Sequence, residues 1–81
     1  MLRVISDSGN FEVPYDTSPM SIQYSSEAND WTIRINSFVM ATYTSLDNVN
    51  EAIQDMRQAY LNGYKFFRFP TNHEKEAPNN E

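Results

Sequence analysis

The chain has 81 residues, no cysteine, and 11 acidic against 6 basic side chains, for a net charge of −5. At that length one domain is expected, with a core that only just offsets chain entropy; with neither disulfides nor thiolate metal sites, self-association is the remaining stabilising device, so a homo-oligomer is expected. The acidic balance repels polyanions and argues against a nucleic-acid binder of the electrostatic type, and the short apolar runs hold neither a membrane span nor a signal peptide, which makes a soluble intracellular protein the expectation.

The first element is "RVISDSGNFEVPYD", where apolar and polar residues alternate on both sides of "DSGN". That is the pattern of a β-hairpin: Leu2, Val4 and Ser6 point one way, Phe11 and Val13 share a face, and Gly9 supplies the positive φ that the turn needs. "DTSPMS" is punctuated by Pro19 and reads as a connection, "IQY" as a short strand and "SSEAND" as a turn. "WTIRIN" alternates cleanly, with Trp31, Ile33 and Ile35 opposing Thr32, Arg34 and Asn36; "FVMATYT" follows through a tight turn at Asn36 and Ser37. The period then changes. Leu46, Val49, Ile53, Met56 and Tyr60 recur at alternating spacings of three and four, one apolar stripe of an amphipathic helix. Thr44 with Asp47 fits a capping box, Ser45 competes as N-cap, and Gly63 fits the residue that ends the helix. "YKFFRFP" predicts a last strand in which Tyr64, Phe66 and Arg68 oppose Lys65, Phe67 and Phe69. From Thr71 onward, "TNHEKEAPNNE" offers a core only one alanine, so the domain is placed at residues 1–70 and a mobile acidic tail at 71–81.

Nucleophilic catalysis needs a nucleophile, a base and an orienting group held together, yet the single histidine, His73, lies in the expected tail. On the helix, Asp47, Glu51 and Asp55 recur every four residues along one face; a solvated face is the plain account of them, ahead of a metal site. Two glycines make no phosphate-wrapping loop. No enzyme, cofactor or metal is therefore expected. Three arginines stand beside aromatics in the sequence: Arg34 near Trp31 and Tyr43, Arg57 near Tyr60, and Arg68 near Phe66 and Phe67. An arginine fork takes phosphate bidentately and a ring stacks on a base, so Trp31, Arg34, Phe66 and Arg68 are the candidate ligand-binding residues for a nucleotide-like molecule. Surface arginines over core aromatics are the plain alternative. "KFFRF" carries rings on both faces of one strand, which fits one face on the helix and the other on a partner chain.

The opening stretch resembles the start of small proteins found in phages and in prophage regions of Firmicutes, whose pattern runs Met-Arg-Ile/Val-Ile-Ser, a polar turn with Gly, then an alternating strand ending Pro-Tyr-Glu. The match runs through Arg3, Val4, Ile5, Ser6, Gly9, Phe11, Val13, Pro14 and Tyr15, with Asp16 in place of Glu. "YTSLDNVNEAIQDMRQAY" looks like that family's helix at Tyr43, Thr44, Ala52, Ile53, Met56, Arg57 and Tyr60, and "FRFP" at Phe67 to Pro70 looks like its closing Phe-Gln-Phe-Pro. The shape of these proteins is similar to that of phage anti-Thoeris sponge proteins, which bind a cyclic nucleotide immune signal without cleaving it. The middle region "SSEANDWTIRINSFVMATY" is shorter here than in the longer members.

The fold expected is α+β: an antiparallel sheet of five or six strands with one amphipathic helix, in the order β-β-β-β-β-α-β. The resemblance implies a non-catalytic phage accessory protein that blocks a bacterial defence system in the cytoplasm of the infected host. Two mechanisms follow. An oligomer could sequester a cyclic nucleotide through Trp31, Arg34, Phe66 and Arg68. Alternatively, an acidic surface of Asp47, Glu51 and Asp55 could bind a basic patch on a defence nuclease in the manner of an anti-CRISPR inhibitor. The last eleven residues hold three carboxylates against one lysine, which leaves only −3 on residues 1–70. A structural phage protein is the third reading.

Overall fold

The computed structural model describes residues 2–15 and 19–72. They form β1 (Arg3–Ile5), β2 (Glu12–Pro14), β3 (Met20–Ser25), β4 (Asp30–Ile35), β5 (Phe38–Tyr43), α1 (Leu46–Leu61) and β6 (Phe66–Arg68), an α+β fold in the expected element order. Asp16, His73 and the acidic stretch from 73 onward lie outside the described residues.

The strands do not join in one sheet. They divide into two of three strands, ordered β2-β1-β6 and β3-β4-β5, and β6 runs parallel to β1. The parallel pair arises because α1 returns the chain to the first sheet beside β1, where Val4 meets Phe67 and the Phe69 N–H extends the ladder to the Ile5 carbonyl at 3.0 Å. β1 and β2 make the expected hairpin, with Gly9 at φ 81° in its loop. Ser6, fully buried, fixes that loop: its hydroxyl accepts from the Phe11 N–H at 3.2 Å, and its carbonyl accepts from Gly9 at 2.9 Å. A buried hydroxyl without such partners would carry a desolvation penalty.

β3, β4 and β5 form an antiparallel meander. Asn36 and Ser37 both take positive φ, 52° and 73°, as a two-residue hairpin turn between β4 and β5 requires. The register between these strands slips at Ile33/Arg34, so that Met40 is an extra residue in β5. The bulge turns Met40 and Ala41 inward together, and both are fully buried. It also coincides with the tie between the sheets, because the Met40 carbonyl accepts the Asp7 N–H at 2.7 Å.

Helix α1 packs on β4, β5 and β6. Its N-cap is Ser45, whose hydroxyl accepts from the Asn48 N–H; Thr44 instead gives its N–H to the Asn72 side-chain oxygen at 3.0 Å. At the other end, the Gly63 N–H bonds to the Tyr60 carbonyl and the Tyr64 N–H to that of Ala59, the paired bonds of a Schellman ending with Gly63 at φ 77°. The buried stripe is Val49, Ala52, Ile53, Met56 and Ala59. Leu46 and Tyr60, expected in it, are 42% and 41% exposed at its flanks. Small Ala52 and Ala59 let the helix backbone lie close to the sheets, and the stripe rotates toward them. Phe11, expected to share a face with Val13, is likewise exposed and stacks on Phe38 at 5.0 Å, whereas Val13 is buried. The core also holds Leu2, Val4, Val13, Ile33, Tyr43 and Phe69. Thr71 and Asn72 are half-buried and belong to this packed unit. Among the described residues no helix is long and apolar enough to cross a membrane.

Candidate functional site

The first sheet has an inner and an outer face set by strand alternation. Leu2, Val4, Val13, Phe67 and Phe69 point into the core. The register places Pro14, Arg3 and Phe66 in one row of the outer face, and Glu12, Ile5 and Arg68 in the next. Phe66 has Arg3 as its register partner on β1, with the Arg3 guanidinium turned toward Glu12 on β2, and Arg68 two residues on in its own strand; Phe66 is 60% exposed. Tyr64, also 60% exposed, precedes it in the chain with the same parity. Both guanidiniums are held. Arg3 Nε donates to Glu12 Oε2 at 2.6 Å, in an ion pair open to solvent on both sides, and Arg68 Nη1 donates to the Asp7 carbonyl at 2.8 Å. Arg3, anchored through Nε, keeps its terminal guanidinium nitrogens to offer a ligand.

The structure thus brings Phe66 and Arg68 together. It places Trp31 and Arg34 elsewhere, in the second sheet and on opposite faces of β4. Trp31 packs against the core beside Ile33 and Ile35 and meets Tyr24 at 4.8 Å. Arg34 lies on the outer face, where its Nε donates to Gln23 Oε1 at 2.9 Å along an open polar groove with Thr32 and Glu27. The four residues therefore do not line one site. Arg3 was not among the residues singled out, since its approach to Phe66 depends on a pairing 63 positions apart in the chain. Asp47, Glu51 and Asp55 are exposed on α1. Among the described residues no group of three histidine, cysteine or carboxylate side chains is placed to hold a metal ion.

Asp7 borders the site and joins the two sheets. Burial raises its carboxyl above the ordinary aspartate range; hydrogen bonds from the Ser8 and Thr42 backbones and the positive charge of Arg68 oppose that shift. An acid whose folded pKa is raised binds more protons in the folded state, so stability falls as pH rises from the unfolded value through the folded one. Acidification through the window just above the ordinary aspartate value therefore recovers stability at this position. Asp7→Asn keeps an acceptor for the backbone donors and removes the charge. Thermal unfolding of the two proteins between about pH 3.5 and 6 should show an increment on acidification in the natural chain that the variant lacks; parallel curves would contradict it.

Compared with protein-family models, curated proteins and solved structures, the chain finds no match.

Proposed function

We propose that the protein is a non-catalytic, phage-encoded inhibitor of a bacterial antiviral defence, acting in the host cytoplasm by holding a cyclic nucleotide signal away from its receptor. The observation that carries this reading is the exposed Phe66 on the outer face of the first sheet, with Arg3 opposite it in register and Arg68 two residues on. A ring presented to solvent stacks a base, and the flanking forks neutralise phosphate oxygens. Sequestration requires no bond cleavage, so no nucleophile or general base is needed. The phage setting rests on the resemblance of "RVISDSGNFEVPYD" and "FRFP".

Titration calorimetry with a panel of cyclic mono- and dinucleotides tests it, with mass spectrometry of the bound molecule. One of the panel should bind and be recovered intact. Phe66→Ala removes a stacking partner worth about 1–3 kcal/mol, so affinity should drop roughly 5- to 150-fold, and Arg68→Ala should weaken it as well. Silence across the panel, or affinity indifferent to both variants, defeats the reading. The exposed carboxylates of Asp47, Glu51 and Asp55, on a helix with no basic residue in its last turn, favour the second reading, an acidic face for a defence nuclease. A protein empty of nucleotide that co-purifies with such a nuclease, more weakly at high salt, assigns the activity to that face.

A further inference from the structure

Among the described residues β3 is an edge strand, and the strand itself lacks the devices that usually protect one. It carries no charged residue and no proline, its pairing with β4 runs without a bulge from Met20↔Ile35 to Ser25↔Asp30, and it is six residues long. Its side chains are unusually open for a strand beside a core. Met20, Ile22 and Tyr24 stand opposite Ile35, Ile33 and Trp31 and so share the core-side face, yet Ile22 is 39% and Tyr24 49% exposed.

The Asn36 N–H donates to the Pro19 carbonyl, which makes 19/36 a hydrogen-bonded pair of the antiparallel ladder. Such pairs alternate with non-bonded ones, so Ser21, Gln23 and Ser25 turn their main-chain groups toward β4. Met20, Ile22 and Tyr24 turn theirs outward. The residues that carry the exposed apolar side chains are thus the ones that present free donors and acceptors.

The sequence of the strand is self-complementary about Ile22. Met-Ser-Ile-Gln-Tyr reads apolar, polar, apolar, polar, apolar in either direction. We propose that β3 pairs antiparallel with β3 of a second copy about a two-fold axis through Ile22, joining two meanders into one six-stranded sheet. A two-fold axis normal to the sheet keeps both helices on one side. Ile22 then faces its own copy as a hydrogen-bonded pair, Met20 faces Tyr24 of the other chain in two further bonded pairs, and Ser21 faces Gln23 on the polar side. Charge favours this edge as well. The chain carries −5, so most faces repel a copy of themselves, whereas the apposed strands bring no charge together. Strand pairing with three apolar side chains per copy is a small contact beside the roughly 1,200–2,000 Å² of specific interfaces, so a weak dimer, of about micromolar affinity or weaker, is expected. The Phe66 face belongs to the other sheet and stays open in the dimer, so this inference stands apart from the proposed nucleotide binding.

Sedimentation velocity on the full chain from about 1 to 500 μM should show a monomer passing to a dimer. Ile22→Lys sets like charges on the axis and should remain monomeric throughout while keeping the far-ultraviolet dichroism of the natural chain. Mixing it with Ile22→Glu should restore a one-to-one dimer. Hydrogen exchange on the natural chain needs no variant: the Met20, Ile22 and Tyr24 amides should be protected at high concentration and exchange freely at low. A monomer across the range overturns the proposal. So does a dimer that survives Ile22→Lys, or one whose protection falls on the Tyr64 and Phe66 face instead.

Discussion

Phe69→Ala is expected to remove about 3–5 kcal/mol of folding stability, most of what a domain of this size has to lose. The ring is fully buried, packs edge to face against Phe67 at 5.2 Å, and follows a strand of only three residues. Besides the ring, that strand is held by a short parallel pairing to β1, the Phe69 N–H bond to Ile5, the Arg68 bond to the Asp7 carbonyl and the Tyr43 bond to Pro70 just beyond it. Taking out the ring leaves a cavity between the helix and the first sheet that short elements cannot close without losing their register. Urea unfolding followed by circular dichroism should show the variant largely unfolded at 25 °C. Phe67→Ala, at a half-buried position, should lose about half as much, and Phe66→Ala, on the solvent face, less than about 0.5 kcal/mol. A reversal of that order would move the anchor of the last strand from Phe69 to its neighbour. The small effect at Phe66 keeps the binding titration of that variant free of a folding artefact.

The alternation that placed Phe67 and Phe69 inside and Phe66 and Arg68 outside was legible in "KFFRF", because side-chain direction along a strand is local. The same holds for the first hairpin, read from Gly9 and its flanking strands, and for the Asn36–Ser37 turn. What local pattern could not carry was partnership. A period of two is the same whether a strand pairs parallel or antiparallel, in one sheet or another, so the parallel contact of β6 with β1 and the split into two sheets followed only from tertiary packing. The site inherits this division. Phe66 and Arg68 are adjacent enough to be found together by reading, while Arg3 joins them through long-range register. Trp31 is the converse: its alternation with Ile33 and Ile35 already set it on the core face, and the arginine beside it in sequence points the other way. The Met40 bulge and the buried alanines of α1 escaped for a different reason, since pattern reading weights large apolar residues and an even period. A bulge breaks the period, and a close approach is made by what a side chain lacks.

Tyr43→Ala should cost about 3–5 kcal/mol and Tyr43→Phe about 1–2 kcal/mol, and the difference between them separates packing from the hydroxyl. Tyr43 ends β5, is fully buried, and gives its hydroxyl to the Pro70 carbonyl at 2.6 Å. Next to it the Thr44 N–H bonds to the Asn72 side chain. These two contacts tie the segment after β6 to the second sheet, on the same strand, β5, whose Met40 carbonyl accepts the Asp7 N–H. Phenylalanine fills the same volume but leaves the Pro70 carbonyl half-buried with a bond lost, so its effect should be confined to residues 67–72. Amide exchange measured residue by residue should show those positions opening first in Tyr43→Phe, while β4 and the centre of α1 keep their protection. The consequence reaches the candidate site, because Phe66 and Arg68 sit on the strand this segment anchors. If the exposed ring and its arginines act as a rigid platform, loosening the anchor should weaken nucleotide binding even though no group that would touch the ligand has changed. Uniform loss of protection across the whole chain would instead show the two sheets unfolding as one unit, with the hydroxyl serving global stability alone.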